Sequence, residues 1–218
     1  MSIFHQLQEN KGTVSSALGK SLAEQVLAGD EEILREAIDL VNFEPDDAKA
    51  KSVRAGAAKI VEKVAEKKPE LVAGRLSDLL PALDLPEPQT RWMIIQVFGY
   101  CAELNPDIAE KAVDHAKHYL AIQQGVCLSG AAARYLGNVG ALSSDHARIS
   151  FPILLEALDK ALPNEVDWIL EGFLEIYDNL DEESQRKIVR GAAPFSDAPK
   201  KSTRQRVKRV IAKAETRI

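Results

Sequence analysis

The feature that most constrains the fold of this chain is a repeat of about 37–38 residues in its apolar side chains. One helical stripe has apolar residues at i, i+4, i+7, i+8 and i+11, and the same stripe recurs one period later. The two stripes are Val53, Ala57, Ile60, Val61 and Val64, then Thr90, Ile94, Val97, Phe98 and Cys101. Two further shifts by one period align VFGYCAEL (97–104) with YLGNVGAL (135–142) and with FLEIYDNL (173–180). Each period contains two helical patterns, which is typical of an α-solenoid.

A second repeated pattern lies between the two helices of a unit. PALDLPEPQTR (81–91) and PFSDAPKKSTR (194–204) share Pro, Asp, Pro, Thr and Arg at identical spacing, three periods apart. Asp47 and Arg54 carry the same Asp-x6-Arg spacing in the period before 81–91. Proline ends the first helix because it lacks an N–H donor, and Ser or Thr can cap the second. We expect each arginine to reach an aspartate carboxylate of its own or the adjacent unit, which would form a ladder between stacked units.

These patterns resemble those of the HEAT-repeat (armadillo-like) family. The resemblance rests on the Asp-x6-Arg pairs, on the second helix WMIIQVFGYCAEL (92–104), and on three prolines in or after first helices, Pro81, Pro152 and Pro194. It implies an all-α fold, a right-handed α-α superhelix with an N-terminal helical cap at 1–29 and one continuous solenoid domain at 30–218. The expected units are 30–68, 69–105, 106–142, 143–180 and 181–218. Units three and four lack the Asp-x6-Arg pair.

The resemblance also implies where a partner binds, because the second helices of HEAT-like solenoids line the concave side. Once the buried stripes are removed, the candidate binding residues are Trp92, Gln96, Tyr100, Arg134, Asn138, Trp168, Glu171 and Glu175. Lys59, Glu62, Lys63, Glu66, Glu103 and Asp178 complete the expected lining. Trp92 and Trp168 lie two periods apart, so they occupy equivalent places. They are either anchors for a partner or half-buried packing at a unit junction, and packing is favoured.

The helix GAAARYLGNVG (130–140) consists mainly of small residues. Two interpretations are open: a ligand backbone approaches it closely, or neighbouring helices pack tightly against it. We favour tight helix packing.

The C-terminal residues 200–218 carry eight basic side chains against one acid, in a chain of net charge −5. An apolar stripe indicates that this segment is the second helix of the last unit, and it consists of Val207, Val210, Ile211, Ala214 and Ile218. The preceding second helix, within 163–183, has eight acids and no base. We therefore expect the two helices to neutralise each other in part, so that the basic helix is a charged cap rather than a nucleic-acid-binding arm.

Sequence motifs for catalysis or metal binding are weak. LGKS (18–21) fails the phosphate-loop pattern, since six residues separate Gly12 from Gly19 where four are required. His115 and His118 share a helical face but have no third ligand nearby, so a metal site is not expected. Cys101 and Cys127 both lie in apolar helical patterns, which predicts free buried thiols in a reducing compartment.

Together these patterns predict a non-enzymatic scaffold that binds a protein or peptide partner, with no cofactor and no catalytic residue. We expect a cytoplasmic protein without a membrane partner, because no apolar run is long enough to span a bilayer and the start does not resemble a secretory signal. The alternative is nucleic-acid binding through the basic C-terminal helix. It includes a remote activity of the kind found in HEAT-like DNA glycosylases, with Trp92, Trp168 and Asp167 as the residue types. The acids near Trp168 disfavour phosphate binding.

Overall fold

The computed structural model describes residues 2–10 and 17–215, and all regular secondary structure in these ranges is helical. The α-helices are α1 Ile3–Glu9, α2 Ala17–Leu27, α3 Glu31–Val41, α4 Lys51–Lys67, α5 Pro88–Tyr100, α6 Pro106–Ala109, α7 Val113–Ile122, α8 Val126–Gly140, α9 Ser144–Asp159, α10 Val166–Ile176, α11 Glu182–Ala192 and α12 Lys201–Glu215. Short 3-10 helices lie at Ala48–Ala50, Pro69–Leu71, Glu110–Ala112, Tyr177–Asn179 and Ala193–Phe195, and a longer one at Ala73–Asp84.

The chain divides into two compact units, residues 1–112 and 113–218. The first unit contains α1 to α6 and the second contains α7 to α12. The boundary between them lies inside the expected third repeat, 106–142. The division of residues 30–218 into five repeats stays a prediction.

In the first unit, α4 is the most enclosed helix, because α2, α3 and α5 all pack against it. The two apolar stripes predicted for α4 and for α5 with the residue that follows it are confirmed, since every one of their ten residues is at most 2% exposed. The N-terminal helices α1 and α2 both pack on α4. The Leu7 side chain of α1 lies against Gly56, and Gly19 of α2 contacts the Lys59 side chain.

In the second unit, the small residues of α8 are buried against α10. A Cβ atom placed on Gly137 would lie 3.0 Å from Gly172 Cα, and one placed on Gly140 would lie 2.5 Å from Ile176 Cγ2. A Cβ atom on Gly130 would lie 3.0 Å from the Trp168 indole. The two helices therefore run in the same direction with their backbones nearly touching, which confirms the tight helix packing expected for this segment.

The two cysteines differ, which corrects one expectation. Cys101 is buried, and burial raises the pKa of its thiol to about 12. Cys127 is exposed, because it lies in the first turn of α8, before the buried part of that helix begins at Leu128.

The expected aspartate–arginine ladder is wrong at Arg54, because this arginine does not bind an aspartate carboxylate. Nη1 of Arg54 donates to backbone carbonyls of the inter-helix loop, at 2.6 Å to Glu44 and 3.1 Å to Asp47. The Asp47 carboxylate instead accepts the backbone N–H of Lys49 at 2.8 Å. Arg54 finds its carboxylate in the next expected repeat, where Nε lies 2.7 Å from Oε1 of Glu87 and Nη2 lies 3.0 Å from Oε2. The Asp-x6-Arg spacing lies within one repeat, so it could not show a partner that is 33 residues away.

The same junction recurs in the second unit with its charges reversed. Asp167 lies three periods after Arg54, and Lys200 lies three periods after Glu87, so the two pairs occupy equivalent positions. Lys200 Nζ is 2.6 Å from Asp167 Oδ2. The fourth expected repeat lacks the Asp-x6-Arg pair. Asp167 occupies the position in this repeat that is equivalent to Arg54.

A threonine binds the carboxylate at both junctions. Thr90 Oγ1 donates to Glu87 Oε1 at 3.0 Å, and Thr203 Oγ1 donates to Asp167 Oδ1 at 2.5 Å. Burial raises the pKa of each carboxyl, but the hydrogen bonds outweigh it, chiefly those from Arg54 and Lys200, and hold both pKa values below the ordinary range. Both carboxylates are therefore ionised parts of the packing between repeats.

Candidate functional site

The predicted binding residues fall into two groups, one in each unit, and each group is described by itself. Face one is the side of α4 and α5 that carries Lys59, Glu62, Lys63, Glu66, Trp92, Gln96 and Tyr100. Face two is the side of α8 and α10 that carries Arg134, Asn138, Trp168, Glu171 and Glu175. The exposed residues among the eight candidates are Arg134, Trp168 and Glu175, and the other five are half-buried.

The charged groups of face one pair with each other. Lys59 Nζ lies 3.1 Å from Glu62 Oε2, while Lys63 Nζ lies 3.3 Å from Glu62 and 2.6 Å from Glu66. Burial lowers the pKa of Lys63, but its two carboxylate partners outweigh this and raise the pKa above its ordinary value. Lys59 and Glu62 were expected to be exposed, yet they are only 8% and 3% exposed. Lys59 is covered because Gly19 of α2 packs on its side chain.

The aromatic residues of face one are held by polar neighbours. Lys59 Nζ lies 5.3 Å from the centroid of the half-buried Trp92 ring, a cation–π distance. The Tyr100 hydroxyl donates to Gln96 Oε1 at 3.1 Å. Face one therefore has little unused hydrogen-bonding capacity.

Face two repeats the cation–tryptophan arrangement with a more exposed ring. Trp168 is 38% exposed, packs on Gly130, and has Arg134 Cζ at 5.9 Å from its ring centroid. Arg134 lies two periods after Lys59, as Trp168 does after Trp92, so the two pairs occupy equivalent places. The inner side of Trp168 packs at a helix junction, as favoured from the sequence, while the rest of the ring is open to solvent.

Two polar side chains of face two have no partner among the described residues. The half-buried amide of Asn138 makes no hydrogen bond to any residue in 2–10 or 17–215. The exposed carboxylate of Glu175 likewise has no ion pair within those ranges. Glu175 Cβ lies 3.5 Å from the position that a Cβ on Gly137 would take, so Asn138 and Glu175 flank the close contact between α8 and α10.

The basic helix α12 pairs with the acidic helix α10, as predicted from their charges. Arg206 Nε lies 2.8 Å from Glu171 and Arg209 Nη1 lies 3.1 Å from the same carboxylate. Lys213 also forms an ion pair with Asp178. Exposed pairs of this kind contribute about 0–1 kcal/mol each, so they fix the register of the two helices more than they stabilise the unit. The candidate Glu171 is thus already neutralised from within the chain.

The pairing also weakens the nucleic-acid alternative. Asp167, the acid required by the glycosylase hypothesis, is 5% exposed and accepts hydrogen bonds from Ser202 and Thr203. A carboxylate so enclosed cannot reach a substrate base.

The described part of the chain contains neither a cluster of metal ligands nor a helix suited to span a membrane. No three His, Cys, Asp or Glu side chains in those residues come together as metal ligands. The rings of His115 and His118 instead lie near Tyr119, with centroids 6.4 and 6.3 Å from that of its ring. None of the described helices is long and apolar enough to cross a membrane.

Comparison with known proteins identifies the fold. No protein-family model matches the chain, and no curated protein matches it. A designed armadillo repeat protein matches with a TM-score of 0.64 and 16% identity, over 97% of this chain and 99% of that one. A second, in complex with the peptide (KR)4, matches with the same TM-score and 15% identity, again over 97% and 99%. An engineered protein matches with a TM-score of 0.59 and 15% identity, over 92% and 98%.

The fold is therefore that of an armadillo/HEAT-like helical solenoid, which confirms the all-α repeat fold predicted from the sequence. At 15–16% identity the similarity concerns the fold alone.

Proposed function

We propose that this protein is a non-enzymatic scaffold that binds an extended peptide segment on face two. The observation that carries the proposal is the free amide of Asn138, half-buried beside the contact between α8 and α10. A ligand that covered this amide without bonding to it would incur a penalty of about 1–3 kcal/mol, whereas a peptide backbone can satisfy it.

The chemistry of face two suits a peptide. An extended backbone presents N–H and C=O groups, and the Asn138 side-chain amide can donate to a C=O and accept from an N–H. Trp168 offers a flat apolar surface, and its packing on Gly130 limits the entropy lost on binding. Glu175 can accept a hydrogen bond from a lysine or arginine of the ligand. The designed armadillo repeat protein in complex with (KR)4 supports a basic peptide as the class of partner.

Face one is the weaker candidate because its charged groups are already engaged. Its lysines and glutamates form a continuous chain of ion pairs, and its tyrosine donates to its glutamine. A ligand there would have to break these contacts, whereas on face two it would meet a free amide and a free carboxylate.

The proposal can be tested by selecting binders from a random dodecapeptide library on the immobilised full-length protein. Dissociation constants of the enriched peptides are then measured for the wild type and for Asn138→Ala, Trp168→Ala and Glu175→Gln. Removing a hydrogen bond or a buried aromatic contact should weaken binding by about 1–2 kcal/mol, or roughly five- to thirtyfold. Glu175→Gln should act mainly on peptides that contain lysine or arginine.

The matched control is Glu156→Gln on α9, an exposed glutamate that pairs with the exposed Lys160. It removes one exposed carboxylate from the same unit but lies outside face two. Peptides that bind the three face-two variants as tightly as the wild type, with helicity retained by circular dichroism, would place the binding surface elsewhere. Failure of the library to yield any peptide that distinguishes wild type from Asn138→Ala would count against the proposal equally.

A further inference from the structure

Arg54, a fully buried arginine of the first unit, uses the two sides of its guanidinium group for two different contacts. Nη1 of Arg54 holds the loop that precedes α4 through the carbonyls of Glu44 and Asp47. On the other side, Nε and Nη2 donate to the two oxygens of the Glu87 carboxylate, which belongs to the next expected repeat. Bidentate contacts of this kind are among the strongest and most selective that arginine forms.

Arg204 repeats half of this arrangement in α12. It lies four periods of the repeat after Arg54. Its Nη1 donates to the loop carbonyls of Ala198 at 2.6 Å and Pro199 at 2.8 Å. Its Nε and Nη2 contact no carboxylate anywhere in residues 2–10 or 17–215, and the side chain is half-buried. The guanidinium thus holds its own loop as Arg54 does, with the carboxylate-binding edge unused.

We propose that Arg204, together with Lys208, is a docking site for an acidic side chain at the start of a helix in a partner protein. The carboxylate would occupy the place that Glu87 takes on Arg54. Glu87 directly precedes α5 and is followed by a proline at the first helical position, so the expected partner segment is a helix that begins Glu-Pro or similarly. This site does not depend on face two or on the function proposed for it.

The surroundings of Arg204 match an acidic partner rather than an apolar one. Lys208 lies one turn further along α12, is exposed, and has no ion pair among the described residues. The equivalent residue in α4 is Ala58, which is completely buried against its neighbours. A cation in place of a buried alanine adds a second positive charge one helical turn from the first. A carboxylate-bearing segment would meet two cations, while a purely apolar helix would bury one of them at a cost.

A second copy of this chain, stacked head to tail in the register of the repeat, does not offer the required carboxylate. In the first expected repeat, the position equivalent to Glu87 is Ala50, and one period earlier it is Thr13. Neither residue carries a charge, so a head-to-tail dimer built on the Arg54–Glu87 pattern would leave Arg204 without its partner. The occupant is therefore defined by its chemistry, a helix that begins with a carboxylate, and not by a second copy stacked in this way.

The side-chain Nε–H signals of arginine in nitrogen-15 NMR spectra test this directly. The probe is a soluble alanine-rich helical peptide that begins Glu-Pro, and the control peptide begins Gln-Pro. The Arg204 signal, assigned by its loss in Arg204→Lys, should shift saturably with the Glu-Pro peptide and not with the Gln-Pro peptide. The Arg54 signal should stay in place with both, because that side chain is fully buried and already paired.

Arg204→Lys alone is not decisive, since it also removes bonds that hold the loop. Lys208→Gln provides the second variant because Lys208 forms no ion pair or side-chain hydrogen bond with the described residues. It should weaken Glu-Pro peptide binding roughly two- to fivefold, the effect of one exposed charge, while leaving thermal unfolding unchanged. An Arg204 signal that does not shift with the Glu-Pro peptide, or that shifts equally with both peptides, overturns the proposal. So does a response to a single-stranded oligonucleotide without one to the peptide, which would assign the site to phosphate.

Discussion

Replacing Glu87 with glutamine should destabilise the first unit far more than removing the equivalent charge destabilises the second. Arg54 is 0% exposed and Glu87 is 8% exposed, so the pair is closed to water. Breaking a buried pair by removing one charge costs about 3–5 kcal/mol, because the other charge stays buried without compensation. Glutamine can still accept one hydrogen bond from Arg54, which places the expected cost at about 3 kcal/mol.

The matched substitution is Lys200→Gln at the charge-reversed junction. The Lys200 side chain is 52% exposed, and Asp167 keeps its hydrogen bonds from Ser202 and Thr203. This change should therefore cost only about 0–1 kcal/mol. The two junctions thus share a position and an ion pair, but the side chain that is replaced is buried at the first and exposed at the second, where Asp167 also keeps Arg206 at 3.7 Å.

Urea unfolding followed by tryptophan fluorescence can measure both effects. With Trp168→Phe the remaining Trp92 reports on the first unit, and with Trp92→Phe the remaining Trp168 reports on the second. A slope of about 2 kcal/mol per molar urea converts about 3 kcal/mol into a midpoint shift of about 1.5 M for Glu87→Gln. Lys200→Gln should shift its midpoint by less than about 0.5 M. Equal shifts for the two variants, or no shift for Glu87→Gln, would refute the argument from burial.

Three further outcomes are expected. Because hydrogen bonds hold the pKa of Glu87 below its ordinary value in the folded protein, its stabilising contribution is complete above about pH 5 and is lost as the pH falls. Glu87→Gln should therefore flatten the acid side of the stability profile, and an unchanged acid limb would contradict the assignment. In native protein a thiol reagent should label Cys127 quickly and Cys101 only on unfolding, since burial raises the Cys101 pKa to about 12; two fast thiols would be inconsistent with the fold. Gly140→Ala should lower the free energy of unfolding by about 1–3 kcal/mol, because its Cβ would lie 2.5 Å from a methyl group of α10. Gly74→Ala, where nothing lies within 4 Å, should be neutral or slightly stabilising, and similar losses for both glycines would disprove the tight contact.

The parts of the fold that follow from local periodicity could be predicted from the sequence. Apolar spacing identified the buried sides of α4 and α5, and the charge pattern predicted the pairing of α12 with α10. The abundance of small residues in α8 predicted tight helix packing, and the structure shows that the neighbour is α10. Each of these features depends on the residues of one helix or of two neighbouring second helices, which the repeat period makes visible.

Contacts that bridge repeats were harder to predict. The sequence pattern pairs Arg54 with the aspartate seven residues before it, whereas its carboxylate partner, Glu87, lies 33 residues ahead. The reversed pair of Asp167 and Lys200 conceals the common pattern, because residue identity changes while position does not. Comparing complementary charges at equivalent positions, rather than identical residues, would have revealed it.

The form of one first helix also escaped prediction. The segment Ala73–Asp84 is a 3-10 helix rather than an α-helix. Pro81 removes one N–H donor there. The side-chain amides of Asn42 and Asn105 donate to backbone carbonyls of this segment, at 2.9 Å to Asp78 and to Ala73 respectively. These partners lie 36 and 32 residues away in sequence, so local propensity could not show them.

The central claim, that face two binds an extended peptide, is tested most directly by nuclear Overhauser effects from the Asn138 side-chain amide in a complex with a selected peptide. We predict contacts between the Asn138 Nδ2 protons and backbone amide or Cα protons of the bound peptide, accompanied by contacts to the Trp168 ring. A saturated complex in which the peptide shows contacts to α4 and α5, or to α12, and none to Asn138 would contradict the claim.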